Sequence, residues 1–250
     1  MSSGRSFSME THSAIRKSNR SEGIFAYLVF LILPLFAVIL SIQRYRAAWA
    51  KNIIWLYASF FGYTFVIGND KSDVNRYRDH FLAMTTQNYS FSEYFNYLLG
   101  SETSFDYMQP LINYLVSLFT DDFRVVFAVF GFIFGFFYSR NIWSILSLTK
   151  GKMQFISVVL IAVFAIVYAV WDINVLRFTI AAHIFFYGIF NFFVKKNRWY
   201  LLIALSAMLM HYTMSLAFGV FALYIILGKW PRIYLGLLLI SMVVSELDMS

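Results

Sequence analysis

Residues 152–198 read KMQFISVVLIAVFAIVYAVWDINVLRFTIAAHIFFYGIFNFFVKKNR, two long apolar runs hinged on a polar triplet. Between Lys152 and Lys195 the charged residues are Asp172 and Arg177 alone. The runs 153–171 and 175–194 each approach the roughly 20 residues that carry a helix across the hydrocarbon of a bilayer. They are continuous rather than alternating, so they are helices and not barrel strands. Lys150 and Lys152 stand before the stretch and Lys195, Lys196 and Arg198 close it. Basic clusters collect on the cytoplasmic side, so the stretch is a hairpin with its Asp172-Ile173-Asn174 turn on the opposite face.

The same argument carries forward. The charge-free run 199–228 is too long for one crossing, and Lys229 and Arg232 follow it. It therefore divides near His211 into two short spans, 199–211 and 214–228, and the turn again faces away from the cytoplasm. Arg177 and His211 then share one non-cytoplasmic surface.

Working backward, a helix from 125 to about 145 enters from outside. Arg140 lies deep enough to snorkel to the inner headgroups, and Asp121, Asp122 and Arg124 lie outside. The runs 23–43 and 52–69 supply two earlier spans, and one further apolar segment, 233–245, follows Arg232. Segment 107–120 is ambiguous: if it crosses, the sidedness of everything before it reverses, and a bare count of Lys and Arg favours that version. Against it, the segment reaches only ~21 Å at about 1.5 Å per residue. The preceding stretch 69–106 is also acid-rich, with Asp70, Asp73, Asp79, Glu93, Glu102 and Asp106 against Lys71, Arg76 and Arg78. Residues 1–23, serine-rich and basic, are expected to be a disordered polar segment ahead of a single membrane domain over 24–250.

Composition agrees. The chain has 250 residues, 60% hydrophobic and 13% charged, where soluble domains carry about 45–50% and 25%. Its net charge of +7 comes from residues that punctuate apolar runs rather than forming a patch, which argues against a nucleic-acid partner. With no cysteine and four scattered histidines there is no disulfide, thiolate metal site or HExxH-type spacing, so no metal and no cofactor are expected.

Three places could carry chemistry. Segment 69–106, rich in Tyr and Phe beside its carboxylates, suits sugar rings, which offer an apolar face and hydroxyls; an interfacial aromatic belt with solvated acids is the other reading. Arg177, at the mouth of a span, is costly there and so is a functional candidate. Near a helix N-terminus, on a face with Ala181, Ile184, Gly188 and Asn191, it suits a phosphate; pairing with Asp172 across the turn is its structural alternative. That face is also small enough to admit a neighbouring helix. His211, on a face with Ala204 and Ala207, is either a base or a hydrogen-bonded turn residue. His183 lies off the Arg177 face and reads as a packing residue with a backbone partner. Trp171, Trp199 and Trp230 read as interface anchors.

The order of these features resembles the EpsG-type, Wzy-like bacterial polysaccharide polymerases. Four places carry the resemblance. Asp73, Tyr77 and Phe81 match an outer-loop pattern of the form GTDxxxYxxxF. Gln109-Pro110-Leu111 resembles an EPL-type start and leads into INYLVSLF. Arg177 with Ala181 opens a span, and His211 with Thr213 forms an H-x-Ser/Thr turn. The chain departs from the pattern at Lys71-Ser72, which replaces Gly-Thr, at Val66-Ile67-Gly68, which lacks an Arg, and at Gln109, where a carboxylate is usual.

The resemblance implies a fold and a function. The fold is an all-α polytopic membrane protein of about eight transmembrane helices. It would carry a long non-cytoplasmic loop, an amphipathic or re-entrant helix near 107–120 and an external N-terminus, and be C-terminally truncated relative to the family. The implied activity is that of a metal-independent glycan polymerase in a bacterial inner membrane, moving undecaprenyl-pyrophosphate-linked oligosaccharide onto a lipid-linked acceptor. In that reading His211 and Asp73 are catalytic. Arg177 holds pyrophosphate, Tyr77 stacks on sugar, and Arg76, Arg78 and Asp172 complete the substrate-binding set. The expected partners are the lipid-linked oligosaccharide, the membrane, and a chain-length regulator or other polysaccharide-assembly proteins. The alternatives are a non-catalytic membrane subunit or truncated relative, and a small transporter with Asp172, Arg177 and His183 along a polar path. A transporter commonly shows two repeated halves, and none is evident.

Overall fold

The computed structural model describes residues 21–66, 73–87, 89–100, 106–149, 154–167, 176–228, 230 and 232–236. Of the segment 1–23 expected to be disordered, residues 1–20 lie outside the described residues, as do Asp172 and Trp171, whereas Ser21, Glu22 and Gly23 are helical. Every regular element among the described residues is a helix. In chain order they are α1 (Ser21–Ile32), α2 (Pro34–Gln43), α3 (Ala50–Thr64), α4 (Asp73–Gln87), α5 (Phe91–Gly100), α6 (Met108–Ser117), α7 (Phe123–Leu148), α8 (Phe155–Val167), α9 (Leu176–Lys195), α10 (Tyr200–Met210) and α11 (Met214–Leu227), followed by a short helical stretch at 232–236. Two compact units divide the chain, Met1–Tyr212 with α1 to α10, and Thr213–Ser250 with α11.

Helices α7 and α9 are long and apolar enough to cross a membrane, and α1, α2, α8, α10 and α11 are shorter apolar helices. Their outer surfaces are what an apolar solvent would accept. Leu31, Ile32, Phe155, Leu216 and Ile226 are each at least 75% exposed, an arrangement a water-soluble domain avoids. The two apolar runs expected over 153–194 appear as helices α8 and α9, the turn expected at Asp172-Ile173-Asn174 lies outside the described residues, and the run 199–228 divides at His211 into α10 and α11. Span 23–43 is not one straight helix. Pro34 has no N–H to donate, and its ring drives Leu33 to φ −135°, ψ 74°, so the run breaks into α1 and α2.

The frame of the first unit is two antiparallel pairs. Along α3 and α7, Gly62 lies against the Phe127 carbonyl, Gly131 against that of Ala58 and Gly135 against Ala58 Cβ; a side chain at any of them would collide. The backbones therefore approach closely enough for Ser59 Oγ to donate to Ala128 O (2.9 Å) and Trp55 Nε1 to Phe132 O (2.8 Å). Farther along, Arg140 donates to Asn52 Oδ1 (2.8 Å) and lies 4.4 Å from the ring centroids of both Trp55 and Phe136. Its charge is thus held sideways against α3 by an amide and two π faces, where a snorkelling posture was expected. In the second pair, Gly188 of α9 packs on the backbone of Ala204 of α10. The face Arg177, Ala181, Ile184, Gly188, Asn191 thus serves helix approach along most of its length, and Ala204 and Ala207 opposite it are fully buried.

His183 joins α9 to α7 and α8. It is 2% exposed, edge-on to Phe134, Tyr138 and Phe164, and Asn141 Nδ2 donates to its carbonyl oxygen at 2.9 Å.

The polar stretch 69–106, expected as a loop, contains two helices. Val74, Tyr77, Phe81 and Met84 recur at three- and four-residue steps and are all buried, so α4 is amphipathic. A capping box starts α5: Ser90 N and Oγ both donate to Glu93 Oε2, at 2.9 and 2.7 Å. Tyr94 of α5 stacks on Tyr114 of α6 at 4.3 Å. Helix α6 has 10 residues, about 15 Å at 1.5 Å per residue, half a bilayer core. Gln109 and Asn113 are buried, while Leu115, Leu118 and Phe119 are exposed, the last at 86%.

Candidate functional site

The first residues of α9, the end of α10, the middle of α4 and Asp106, two residues ahead of α6, converge. Close approach of Gly188 to Ala204 sets α9 antiparallel to α10 and so brings Phe178 beside His211, ring centroids 5.6 Å apart. Arg177, one residue earlier, reaches α4 and the start of α6. Its Nε donates to the Tyr77 hydroxyl at 3.1 Å, and its NH1 pairs with Asp106 Oδ2 at 2.9 Å. The guanidinium carbon lies 5.4 Å from the Tyr77 ring centroid. Asp106 Oδ1 accepts from the backbone N–H of Tyr212 at 2.7 Å. One carboxylate therefore fixes both the arginine that opens α9 and the chain that leaves α10.

Burial grades across the group. Asp106 is 5% exposed and the Arg177 side chain 27%. Burying a carboxylate is costly unless it is paired and hydrogen-bonded, and Asp106 has a charged donor on one oxygen and a peptide donor on the other. Arg177 commits two of its five N–H donors to Tyr77 and Asp106, which leaves capacity for an anion at its exposed side. Tyr77 is 8% exposed, so its ring and hydroxyl orient the guanidinium.

His211 ends α10 in extended backbone, φ −153° and ψ 122°, with its N–H still donating to Ala207 O at 3.0 Å. Its ring stacks on Tyr212 at 5.2 Å. Burial is the largest influence on its pKa and pushes it below the usual value of 6.5. Asp106 opposes that shift and Arg177 adds to it. Burial thus favours the neutral imidazole, the form a general base requires, and the ring sits within the field of both charges.

The remaining sequence candidates fall differently. Asp73 is the first residue of α4, one turn before Tyr77, and its side chain lies outside what the structure describes. Arg76 is exposed on α4. Arg78 pairs with Asp79 at 2.8 Å on an exposed surface and does not join Arg177. Asp172, the alternative partner for Arg177, lies outside the described residues. Thr213 opens the second unit. No group of three or more His, Asp or Glu able to hold a metal ion occurs among the described residues.

Two participants escaped the sequence reading. Asp106 was one of six carboxylates in its segment, and Tyr212 contributes only a peptide N–H. The available signal for Asp106 was position: it stands two residues ahead of the α6 start and three before Gln109, so Asp106, Gln109 and Asn113 fall at helical spacing. All three are buried.

Comparison with curated proteins and with solved structures gives no match. The model of the EpsG family matches residues 53–247, a range that takes in every residue of the Arg177 cluster. By that match the chain belongs to the EpsG family and, with its apolar helices, to the membrane proteins of polysaccharide biosynthesis.

Proposed function

We propose that this protein is a glycan polymerase of a bacterial inner membrane, with about eight crossing segments and the Arg177 cluster on the non-cytoplasmic face. The donor is an oligosaccharide on undecaprenyl pyrophosphate and the acceptor a second lipid-linked unit. The acceptor hydroxyl oxygen bonds to the anomeric carbon of the donor, the bond from that carbon to the pyrophosphate oxygen breaks, and undecaprenyl pyrophosphate leaves. Arg177 binds the pyrophosphate and stabilises the charge that grows on it. His211 takes the proton of the attacking hydroxyl. Tyr77 and Asp106 are positioning residues that aim Arg177, and Asp73 with Arg76, Arg78 and Asp172 contacts sugar or acceptor. The short α6 lies in the interface or re-enters the membrane beside them. A chain-length regulator is the expected protein partner.

The observation that carries this reading is the arginine braced by a buried carboxylate beside a histidine whose pKa is lowered by burial. It sits in a chain of the EpsG family. Gln109, where the resemblance leads one to expect a carboxylate, does not leave the site without one, because Asp106 stands three residues earlier. That supports an active protein over a non-catalytic subunit. The test is complementation of a polymerase-deficient host. Arg177→Ala and His211→Ala each abolish long chains while lipid-linked single units persist; wild-type ladders from both variants overturn the assignment.

A further inference from the structure

A second site is formed away from Arg177. Between α2, α3, α7 and α8 lies a cavity of about 500 Å³, within the ~300–1,000 Å³ of small-molecule sites. Ile42, Ile54, Tyr57, Ile142, Val158 and Ala162 contribute to an almost wholly apolar lining. Its rim faces outward, since Ile42, Val158 and Ile166 are 62%, 44% and 61% exposed. An apolar cavity opening beside apolar outer surfaces is entered from the hydrocarbon rather than from water.

One end of this cavity is polar. Tyr45, Trp143 and Leu146 line both it and an adjoining space of about 260 Å³, whose other walls are Arg46, Ser147 and Thr149. A third space, about 310 Å³, shares Tyr45 and Arg46 and adds Arg44, Gln43, Ala47 and Glu22. Trp143 Nε1 donates to Tyr45 O at 2.7 Å and ties α7 to the chain between α2 and α3 at this junction. Two guanidinium groups against one carboxylate give the mouth a positive balance.

We infer that this cavity holds one anionic glycerophospholipid of the surrounding membrane, an acyl chain between α2, α3, α7 and α8 and the phosphate beside Arg44 and Arg46. An apolar slot ending in a basic mouth matches that shape and charge order. The polymerase substrate is a poorer match, because its pyrophosphate belongs with Arg177 at the start of α9 while this mouth lies at the end of α7. In the topology proposed above these are opposite membrane faces. The lipid fills the gap between α7 and α8, which Tyr138 bridges by donating to Ala165 O at 2.9 Å.

Native mass spectrometry of the full chain in detergent, titrated with phosphatidylglycerol or phosphatidylcholine, tests this. The expected result is one phosphatidylglycerol per chain in preference to phosphatidylcholine, weakened roughly fivefold for each Arg removed in Arg44→Gln and Arg46→Gln. Ala162→Phe, which fills the slot, abolishes retention. Because Ala162→Phe could disturb folding, the two Arg variants, on exposed positions, are decisive without it. Equal retention of both lipids, or unchanged retention in the Arg44→Gln/Arg46→Gln double variant, overturns the proposal. So does displacement of bound phosphatidylglycerol by equimolar undecaprenyl phosphate, which would assign the cavity to the substrate's own tail.

Discussion

Asp106 and Arg177, 71 positions apart, form an ion pair at 2.9 Å in which the carboxylate is almost wholly buried and the guanidinium about a quarter exposed. The second oxygen of Asp106 is taken by the N–H of Tyr212. The pair is therefore asymmetric: the acid is consumed inside the protein and the base keeps an outward side. An arrangement that served stability alone would gain little from leaving one partner partly exposed. One that must present a cation at a fixed point gains its aim.

Replacing Asp106 by Asn keeps the acceptor for Tyr212 N and removes the charge that fixes Arg177. Polymer output falls roughly a hundredfold, the scale on which an ångström-level misplacement of a binding group is felt. Asp106→Glu, which restores the charge at a shifted distance, recovers part of it. Chain-length ladders and a thermal melt of each purified variant check this. If Asp106→Asn melts normally and makes wild-type chains, the carboxylate has no part in aiming Arg177.

The pH response follows from His211. Its folded pKa lies below 6.5 because burial disfavours the imidazolium, with Arg177 adding to the effect and Asp106 opposing it. An unfolded chain binds that proton more readily, so this contribution to stability is present above pH 6.5 and is lost as pH falls through the folded pKa. The acid limb of activity accordingly lies below pH 6.5. Asp106→Asn removes the opposing influence and moves the titration of His211 lower, as followed by NMR of histidine-labelled protein. Movement to higher pH contradicts the coupling.

Charge position made most of the back half legible. Asp172 between two apolar runs, and basic clusters on either side of 199–228, give α8, α9, α10 and α11 without further information. The face from Arg177 to Asn191 likewise announced a close helix approach, and Gly188 against Ala204 is that approach. The front was harder. Helix α4 carries a buried stripe from Val74 to Met84, but the polar residues between obscure it when composition is judged by segment. Asp106 was invisible for another reason: nothing local distinguishes it from Asp79, which faces Arg78 next door. An ion pair closing over 71 positions is a property of how four helices meet.

The α3–α7 contact depends on absent side chains. At Gly131 a Cβ would strike the Ala58 backbone, which cannot move without parting the helices. Gly131→Ala therefore destabilises by about 1–3 kcal/mol or more, the range of core overpacking. Gly219, midway along α11, has no atom of the described residues within 4 Å of where a Cβ would stand, so Gly219→Ala gains roughly 0.5–1 kcal/mol from helix propensity. Melting temperatures in one detergent compare the two. A neutral Gly131→Ala would mean that the pair is looser than its hydrogen bonds from Ser59 and Trp55 imply.

Asn113 presents the sharpest contest between stability and use. It is fully buried on α6, and among the described residues neither its Nδ2 nor its Oδ1 has a hydrogen-bond partner. An unsatisfied buried amide costs about 1–3 kcal/mol, a penalty that a leucine of similar size avoids. Asn113→Leu should raise the melting temperature. Asn113 follows Gln109 by one turn of α6, and Gln109 follows Asp106, just outside the helix, by three residues, so three buried polar residues run in sequence from the Arg177 cluster. If those residues meet sugar hydroxyls when substrate enters, the more stable variant makes shorter or fewer chains, and Asn113→Asp or Asn113→Gln retains more activity than Asn113→Leu. A variant that is both more stable and fully active would show that Asn113 is a packing fault and that the substrate path stops at Gln109.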